Sequence, residues 1–200
     1  GVFEKGKADV KFTARSNGGH ASAPSKGTPI ARLSAFVNEV ETHSPFRKKL
    51  LPEVSAMFTE LAPYAGFGMK LVFGNVWLFG PVLKAVMPAI SAQAGAMLKT
   101  TIAFTVQKGS DAYNVLPQEA YVGANMRFIP HQGEKESLEI IKKVAGKYGL
   151  ETEVLHANDY TPPVDIHGEA FHLVEQTIAD TFPGLPSSPY VMTGATDAQF

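Results

Sequence analysis

Ala8, Val10, Phe12 and Ala14 alternate with Asp9, Lys11, Thr13 and Arg15, the period of a strand with one face on a core. A glycine-rich turn, Gly18-Gly19-His20-Ala21-Ser22-Ala23-Pro24, breaks that strand. Thr28-Pro29 then opens a helix, with a hydroxyl at the N-cap and proline in the first turn; Ile30, Leu33, Val37 and Val40 share one face. A second strand is predicted from Leu98 to Gln107, where Ile102, Phe104 and Val106 alternate with Thr101, Ala103 and Thr105. A third runs from Ala120 to Phe128. Its apolar face is Val122, Ala124, Met126 and Phe128, and its other face carries Tyr121, Asn125 and Arg127. Glu134 to Tyr148 reads as a helix with Leu138, Ile141, Val144 and Tyr148 inward and Gly149 as its stop, and Glu151 to His156 as a fourth strand. The order βα–ββ–αβ predicts an α+β fold: a ferredoxin-like four-stranded antiparallel sheet with both helices on one face.

The stretch between the first helix and the second strand, residues 43–97, is rich in Phe, Met, Leu, Gly and Pro and holds the only tryptophan, Trp77. It is too apolar for a solvated loop. Two or three helices packed as a cap are expected there. Lys70, Asn75, Lys84 and prolines interrupt it short of the ~20 apolar residues a membrane helix needs, so no membrane partner is expected. After Thr161-Pro162-Pro163, a helix is predicted from Gly168 to Thr181, with Phe171, Val174, Ile178 and Phe182 on one side, then a short strand from Ser188 to Met192. An αβ unit following a closed βαββαβ module has no strand left to pair with. Residues 1–160 are therefore expected to form one domain and 161–200 part of a second.

A net charge of −1 gives no reason to expect nucleic acid or an anionic surface as a partner. Without cysteine, neither a disulfide framework nor a thiolate metal site can form. The chain opens Gly-Val-Phe-Glu-Lys-Gly-Lys, with no signal-peptide pattern, and ends on Asp197-Ala198-Gln199-Phe200; it reads as a fragment of a longer, cytoplasmic protein.

The candidate chemistry lies at strand ends. His20 follows two glycines, which let backbone pass close to a ligand; the alternative is a turn histidine with no role. Asn114, in Tyr113-Asn114-Val115-Leu116-Pro117, either binds a ligand or caps a turn. Arg127 sits on a strand otherwise made of small and apolar residues. Its guanidinium suits bidentate carboxylate recognition, or a surface ion pair. Gly194, between Thr193 and Thr196, can offer backbone donors. His43, His131, His156, His167 and His172 show no metal-ligand spacing, and Ser22 and Ser25 near His20 lack an orienting acid.

Together these segments resemble the di-zinc peptidases and amidohydrolases that include aminoacylase, carboxypeptidase S, glutamate carboxypeptidase and succinyl-diaminopimelate desuccinylase. Gly19-His20-Ala21-Ser22-Ala23-Pro24 is similar to that family's Gly-His-(Ser/Ala)-Ser-x-Pro segment, and Asn114-Val115-Leu116-Pro117 to its Asn-(Val/Ile)-(Ile/Leu)-Pro loop. Met126-Arg127-Phe128 is similar to its arginine strand, 13 residues beyond Asn114. Thr193 to Phe200 is similar to the segment that returns to the catalytic domain, with Gln199 where arginine is usual. Asn75-Val76-Trp77-Leu78-Phe79-Gly80-Pro81 resembles a segment of the carboxypeptidase S branch, which includes enzymes that handle N-acyl amino acids.

The resemblance implies a lid or dimerisation domain over residues 1–160 and a partial catalytic segment over 161–200. It implies a homodimer that cleaves an amide in a peptide or N-acyl amino acid, using two zinc ions whose ligands lie outside this chain. His20 would stabilise the oxyanion in the partner's site, and Asn114 and Arg127 would bind the substrate carboxylate, with Gly194 alongside; the fragment alone would be inactive. The other class left open is a ferredoxin-like ligand-binding or dimerisation module without catalysis.

Overall fold

The computed structural model describes residues 1–194 and 196. In chain order the strands are β1 (Phe3–Glu4), β2 (Gly6–Arg15), β3 (Gly19–His20), β4 (Thr101–Lys108), β5 (Val115–Leu116), β6 (Glu119–Phe128), β7 (Glu151–Asn158) and β8 (Val191–Met192). The helices are α1 (Pro29–Thr42), α2 (Pro52–Leu61), α3 (Phe67–Gly74), α4 (Val76–Ile90), α5 (Ala92–Ala96), α6 (Glu134–Lys147) and α7 (Glu169–Thr181).

The expected α+β module forms. Its sheet is antiparallel throughout, in the order β4-β6-β2-β7, with α1 and α6 on one face. Side chains alternate across a strand, so the even-numbered residues of β2 and β6, from Ala8 to Ala14 and Ala120 to Phe128, all turn to the helices and are buried. Phe36 of α1 is the hub of this core: its ring lies 4.8 Å from that of Phe12 and 5.5 Å from that of Phe104. The buried face of α1 is Pro29, Leu33, Phe36 and Val40, not the expected set with Ile30. Ile30 is instead exposed and reaches Gly109, where a Cβ would sit 2.9 Å from its Cδ1. Gly149 stops α6 as expected, at φ +63°, with the Leu150 and Gly149 N–H groups donating back to the Ala145 and Gly146 carbonyls.

The insertion is more helical than expected, comprising α2 to α5 and a 3-10 turn at Ala62–Tyr64. Its two ends meet: the Lys49 N–H donates to the Leu98 carbonyl at 2.8 Å. Leu98 is fully buried under the insertion, and the second strand starts later than expected, at Thr101. At this root Thr100 Oγ1 and Ser137 Oγ both donate to the Gln132 carbonyl, so the buried hydroxyls are satisfied. The insertion is no satellite. Val54, Met57, Val76, Leu83 and Met87 form a second core with Val2, Phe3 and Val191.

That second core also corrects the expectation that the last αβ unit has no strand to pair with. β8 pairs in parallel with β1, Phe3 opposite Val191 and Glu4 opposite Met192. β1, the partner not foreseen, spans only Phe3–Glu4 and carries too little pattern to be seen in a sequence. α7 buries no residue fully; Phe171 packs on the second core, while Val174 and Phe182 remain exposed.

Candidate functional site

β2 and β6 form one long ribbon, and the candidate residues lie at its two ends. Past Arg15 and Glu119 the ribbon continues as a thin arm in which β3 pairs with β5, His20 opposite Val115. Ser16 carries the strands through the junction: its N–H donates to the Gln118 carbonyl at 2.8 Å and its Oγ to the Pro117 carbonyl at 2.9 Å. Gly18, at φ +68°, makes the turn into the arm; a Cβ there would lie 2.8 Å from Gln118 Cγ.

The arm brings His20 and Asn114 together. The Ala21 N–H donates to the Asn114 carbonyl at 2.9 Å, and both the imidazole and the carboxamide are exposed. The Ser22 N–H donates to His20 Nδ1 at 3.2 Å, with Ser22 Oγ 2.8 Å from the same nitrogen. A nitrogen that accepts from a backbone N–H carries no proton, so the neutral ring bears its proton on Nε2 and offers it as a donor. Ser22 thus orients His20.

Arg127 is at the other end. Glu119 to Arg127 alone spans roughly 27 Å at ~3.4 Å per residue, and the arm lies beyond Glu119. Within one chain the structure does not bring Asn114 and Arg127 together. Arg127 sits on the sheet face away from α1 and α6, half-buried, with its Nε donating to Asn125 Oδ1 at 2.9 Å. Asn125 in turn donates to Asp9 at 2.7 Å, and Lys7 lies 3.0 Å from the Asp9 carboxylate. The Asn125 amide, with Lys7 adding to it, holds the Asp9 carboxyl below its ordinary range. This chain of contacts fixes the plane of the guanidinium through Nε and does not engage its two terminal nitrogens, the pair that grips a carboxylate.

Gly194 is at the Arg127 end. It follows β8, whose Met192 carbonyl accepts the Lys5 N–H at 3.1 Å, and Lys5 leads directly into Gly6 opposite Phe128. A Cβ on Gly194 would meet nothing within 4 Å, so packing does not demand a glycine there. Two residues on, Thr196 donates through its N–H and hydroxyl to the Glu4 carboxylate. Gln199 and the rest of the returning segment lie outside the described residues.

One residue of this end was not singled out from the sequence. Lys5 is fully buried, and its Nζ donates to the Ala96 carbonyl at 3.0 Å and the Lys99 carbonyl at 2.8 Å. Burial, and then the neighbouring Arg127 and Lys99 cations, lower its pKa from 10.5 to about 7. A lysine beside Gly6 at the start of an alternating strand looks like any solvated one. Among the described residues no three His, Asp or Glu side chains lie close enough to hold a metal ion. The donor set of the described residues does not fit a zinc centre.

Residues 2–153 match the family model described as the peptidase dimerisation domain. The chain is 30% identical over 207 residues to the N-fatty-acyl-amino acid synthase/hydrolase PM20D1 of Xenopus tropicalis, covering 100% of this chain and 39% of that protein. It is 26% identical over 200 residues to the probable carboxypeptidase S-like 2 of Dictyostelium discoideum, covering 100% of this chain and 38% of that one. The chain thus spans about two fifths of the length of these curated relatives. Among solved structures, human carnosine dipeptidase 1 superposes with a TM-score of 0.58 at 11% identity, over 99% of this chain and 46% of that one. A tripeptidase from Staphylococcus aureus does so with 0.57 at 14% identity, over 98% and 40%. At these identities the two structures show the fold alone.

Proposed function

Because the chain belongs to the peptidase dimerisation domain family, we propose that it is the lid and dimer-forming part of a homodimeric, metal-dependent amide hydrolase. Its active site takes His20 and Asn114 from one subunit and Arg127 from the other. The observation that carries this reading is the distance between the arm and Arg127, which one subunit cannot close by itself.

The sheet supplies a way to close it. Both outer strands are open, but they differ in chemistry. β7 presents Glu151 and Glu153, charges that discourage further pairing, whereas β4 reads Thr-Ile-Ala-Phe-Thr-Val-Gln without a charge before Lys108. Two copies joined edge to edge along β4, about a two-fold axis perpendicular to the strands, run antiparallel, so the Lys108 end of one meets the Thr101 end of the other. Thr101 pairs with Arg127, and the Lys108 end lies on the arm side. The dimer therefore carries the His20–Asn114 arm of one subunit towards the partner's Arg127.

In that composite site Arg127, held through Nε, binds the substrate carboxylate with its terminal nitrogens. His20 donates from Nε2 to the oxyanion that develops on the amide carbonyl. Losing one such donor typically costs ~10²–10³ in turnover. Asn114, beside His20 on the same arm, adds an amide donor. Gly194 leaves room for substrate next to Arg127. Metal chemistry, as the resemblance to the di-zinc enzymes suggests, would come from parts of the protein other than the described residues. The relatives named for N-fatty-acyl amino acids support an N-acyl amino acid as substrate, with peptides as the second class.

Subunit exchange in the full-length protein tests this. His20→Ala and Arg127→Ala proteins are each impaired alone. In their heterodimer one site keeps both residues, so an equal mixture recovers about a quarter of wild-type activity after random exchange. Mixing His20→Ala with Asn114→Ala recovers nothing, because both residues ride on one arm and every heterodimer site lacks one of them. Complementation of the second pair, or failure of the first despite heterodimer formation, rejects the composite site. If the full-length sequence carries no zinc-ligand set at all, the non-catalytic module is the correct reading.

A further inference from the structure

The insertion carries a feature the composite site does not use. α4 is apolar on both sides. Its inner stripe, Val76, Gly80, Leu83 and Met87, packs into the second core that also holds Val2, Phe3 and Val191. At 100° per residue Leu78, Pro81, Val82, Ala85 and Ala89 face away from that stripe, and Val86 and Ile90 wind round its flank. Every one of these is exposed, Ile90 at 67%, and no polar residue interrupts them. A helix that is apolar all round is ordinarily buried on all sides or faces lipid.

The neighbouring elements extend the same surface. Trp77 is 81% exposed at the start of α4, and Phe67 is 88% exposed at the start of α3. No single helix among the described residues is long and apolar enough to cross a membrane. α3 and α4 together would be, but they bend by 110° at Asn75. That bend suits a pair lying along an interface rather than spanning one. The charge pattern points the same way. From Leu61 to Ser110 the chain has no Asp or Glu, and the cations near the stripe are Lys70, exposed on α3, and Lys84, on the flank of α4 between its two stripes. A lysine placed there lays its alkyl stem on apolar surface and keeps its ammonium at headgroup level.

We propose that the outer face of α3 and α4 docks on an anionic lipid surface. Leu78, Val82, Val86 and Ile90 enter the acyl boundary, Trp77 and Phe67 sit at the headgroup level, and Lys70 and Lys84 meet lipid phosphates. The inner stripe already holds the insertion to the rest of the chain, so docking needs no unfolding. The inference stands apart from the composite site and survives its failure.

The test is flotation of the full-length protein with vesicles of phosphatidylcholine, with and without phosphatidylglycerol. The wild type floats with the anionic vesicles at low salt, and about tenfold less with phosphatidylcholine alone or in high salt. Val82→Glu/Val86→Glu abolishes flotation and leaves the unfolding midpoint unchanged, since both side chains are exposed. Lys70→Glu/Lys84→Glu removes the preference for anionic lipid. Should the glutamate variant misfold, brominated lipid provides a second measurement. It quenches the wild-type fluorescence component that is absent from Trp77→Phe, and a component left unquenched overturns the proposal. The proposal also falls if the wild type stays unbound, or if the folded Val82→Glu/Val86→Glu protein floats as well as the wild type. It falls too if that variant changes the oligomeric state in sedimentation, because the face is then a protein interface.

Discussion

Replacing Lys5 with methionine removes a buried ammonium while keeping most of its volume, and the consequence is a pH dependence with a definite sign. The unfolded chain keeps Lys5 protonated up to its ordinary pKa of 10.5, whereas the folded chain releases the proton above about 7. Between those values the unfolded state holds more protons, so stability rises with pH, on the order of 1 kcal/mol per pH unit. From about pH 7.5 to about 9.5 the wild type therefore gains about 2 kcal/mol through this residue. The neutral amine still has two N–H bonds for the Ala96 and Lys99 carbonyls, which Lys5→Met leaves without their donor. At the high-pH end the variant is less stable than wild type, by an amount on the order of 1–3 kcal/mol. The gap narrows as pH falls and the wild type takes on the cost of a buried charge. Urea unfolding of the chain at a series of pH values reads both curves, and their difference cancels every other titrating group. Arg127→Ala removes one cause of the lowered pKa and moves the rise to higher pH. A difference curve that is flat across the window, or that slopes the other way, refutes the argument that Lys5 is held partly neutral.

Phe36→Ala empties the meeting point of the Phe12 and Phe104 rings and costs about 3–5 kcal/mol by chemical denaturation; a loss below 1 kcal/mol would mean that the core collapses around the gap. Ala103→Lys/Thr105→Lys charges the β4 edge at two exposed positions, so the protein sediments as a monomer where the wild type is a dimer, with unchanged circular dichroism. An unaltered mass places the dimer contact elsewhere. Gly18→Ala forces a Cβ into positive φ and towards Gln118, costing about 1–2 kcal/mol and lowering turnover by misplacing His20. Wild-type turnover in that variant would show that the arm tolerates a different turn.

The strands and helices of the sheet module were legible because each writes a period into the chain. The even-numbered residues of β2 and β6 are apolar because each strand buries only one face, and that alternation is local. Capping is local too, which is why Thr28 and Gly149 mark their helix ends correctly: the Thr28 Oγ1 accepts the Ala31 N–H, and Gly149 takes a positive φ. The face of α1 was read less well. Both {Ile30, Leu33, Val37, Val40} and {Pro29, Leu33, Phe36, Val40} have helical spacing, and only the position of the Phe12 and Phe104 rings selects the second.

Sequence alone determined the βα–ββ–αβ order, the presence of an apolar insertion, and the identity of His20, Asn114 and Arg127 as candidates, since residue type and local spacing carry all of these. Where those residues stand relative to one another was a matter for the tertiary structure. The ribbon of β2 and β6 separates the arm from Arg127, and no local pattern encodes the length of an intervening pairing. The same holds for the pairing of β1 with β8, for the burial of Lys5, and for the outward stripe of α4. Each depends on contacts between segments far apart in the chain, and a single residue's chemistry is silent about which distant surface will cover it.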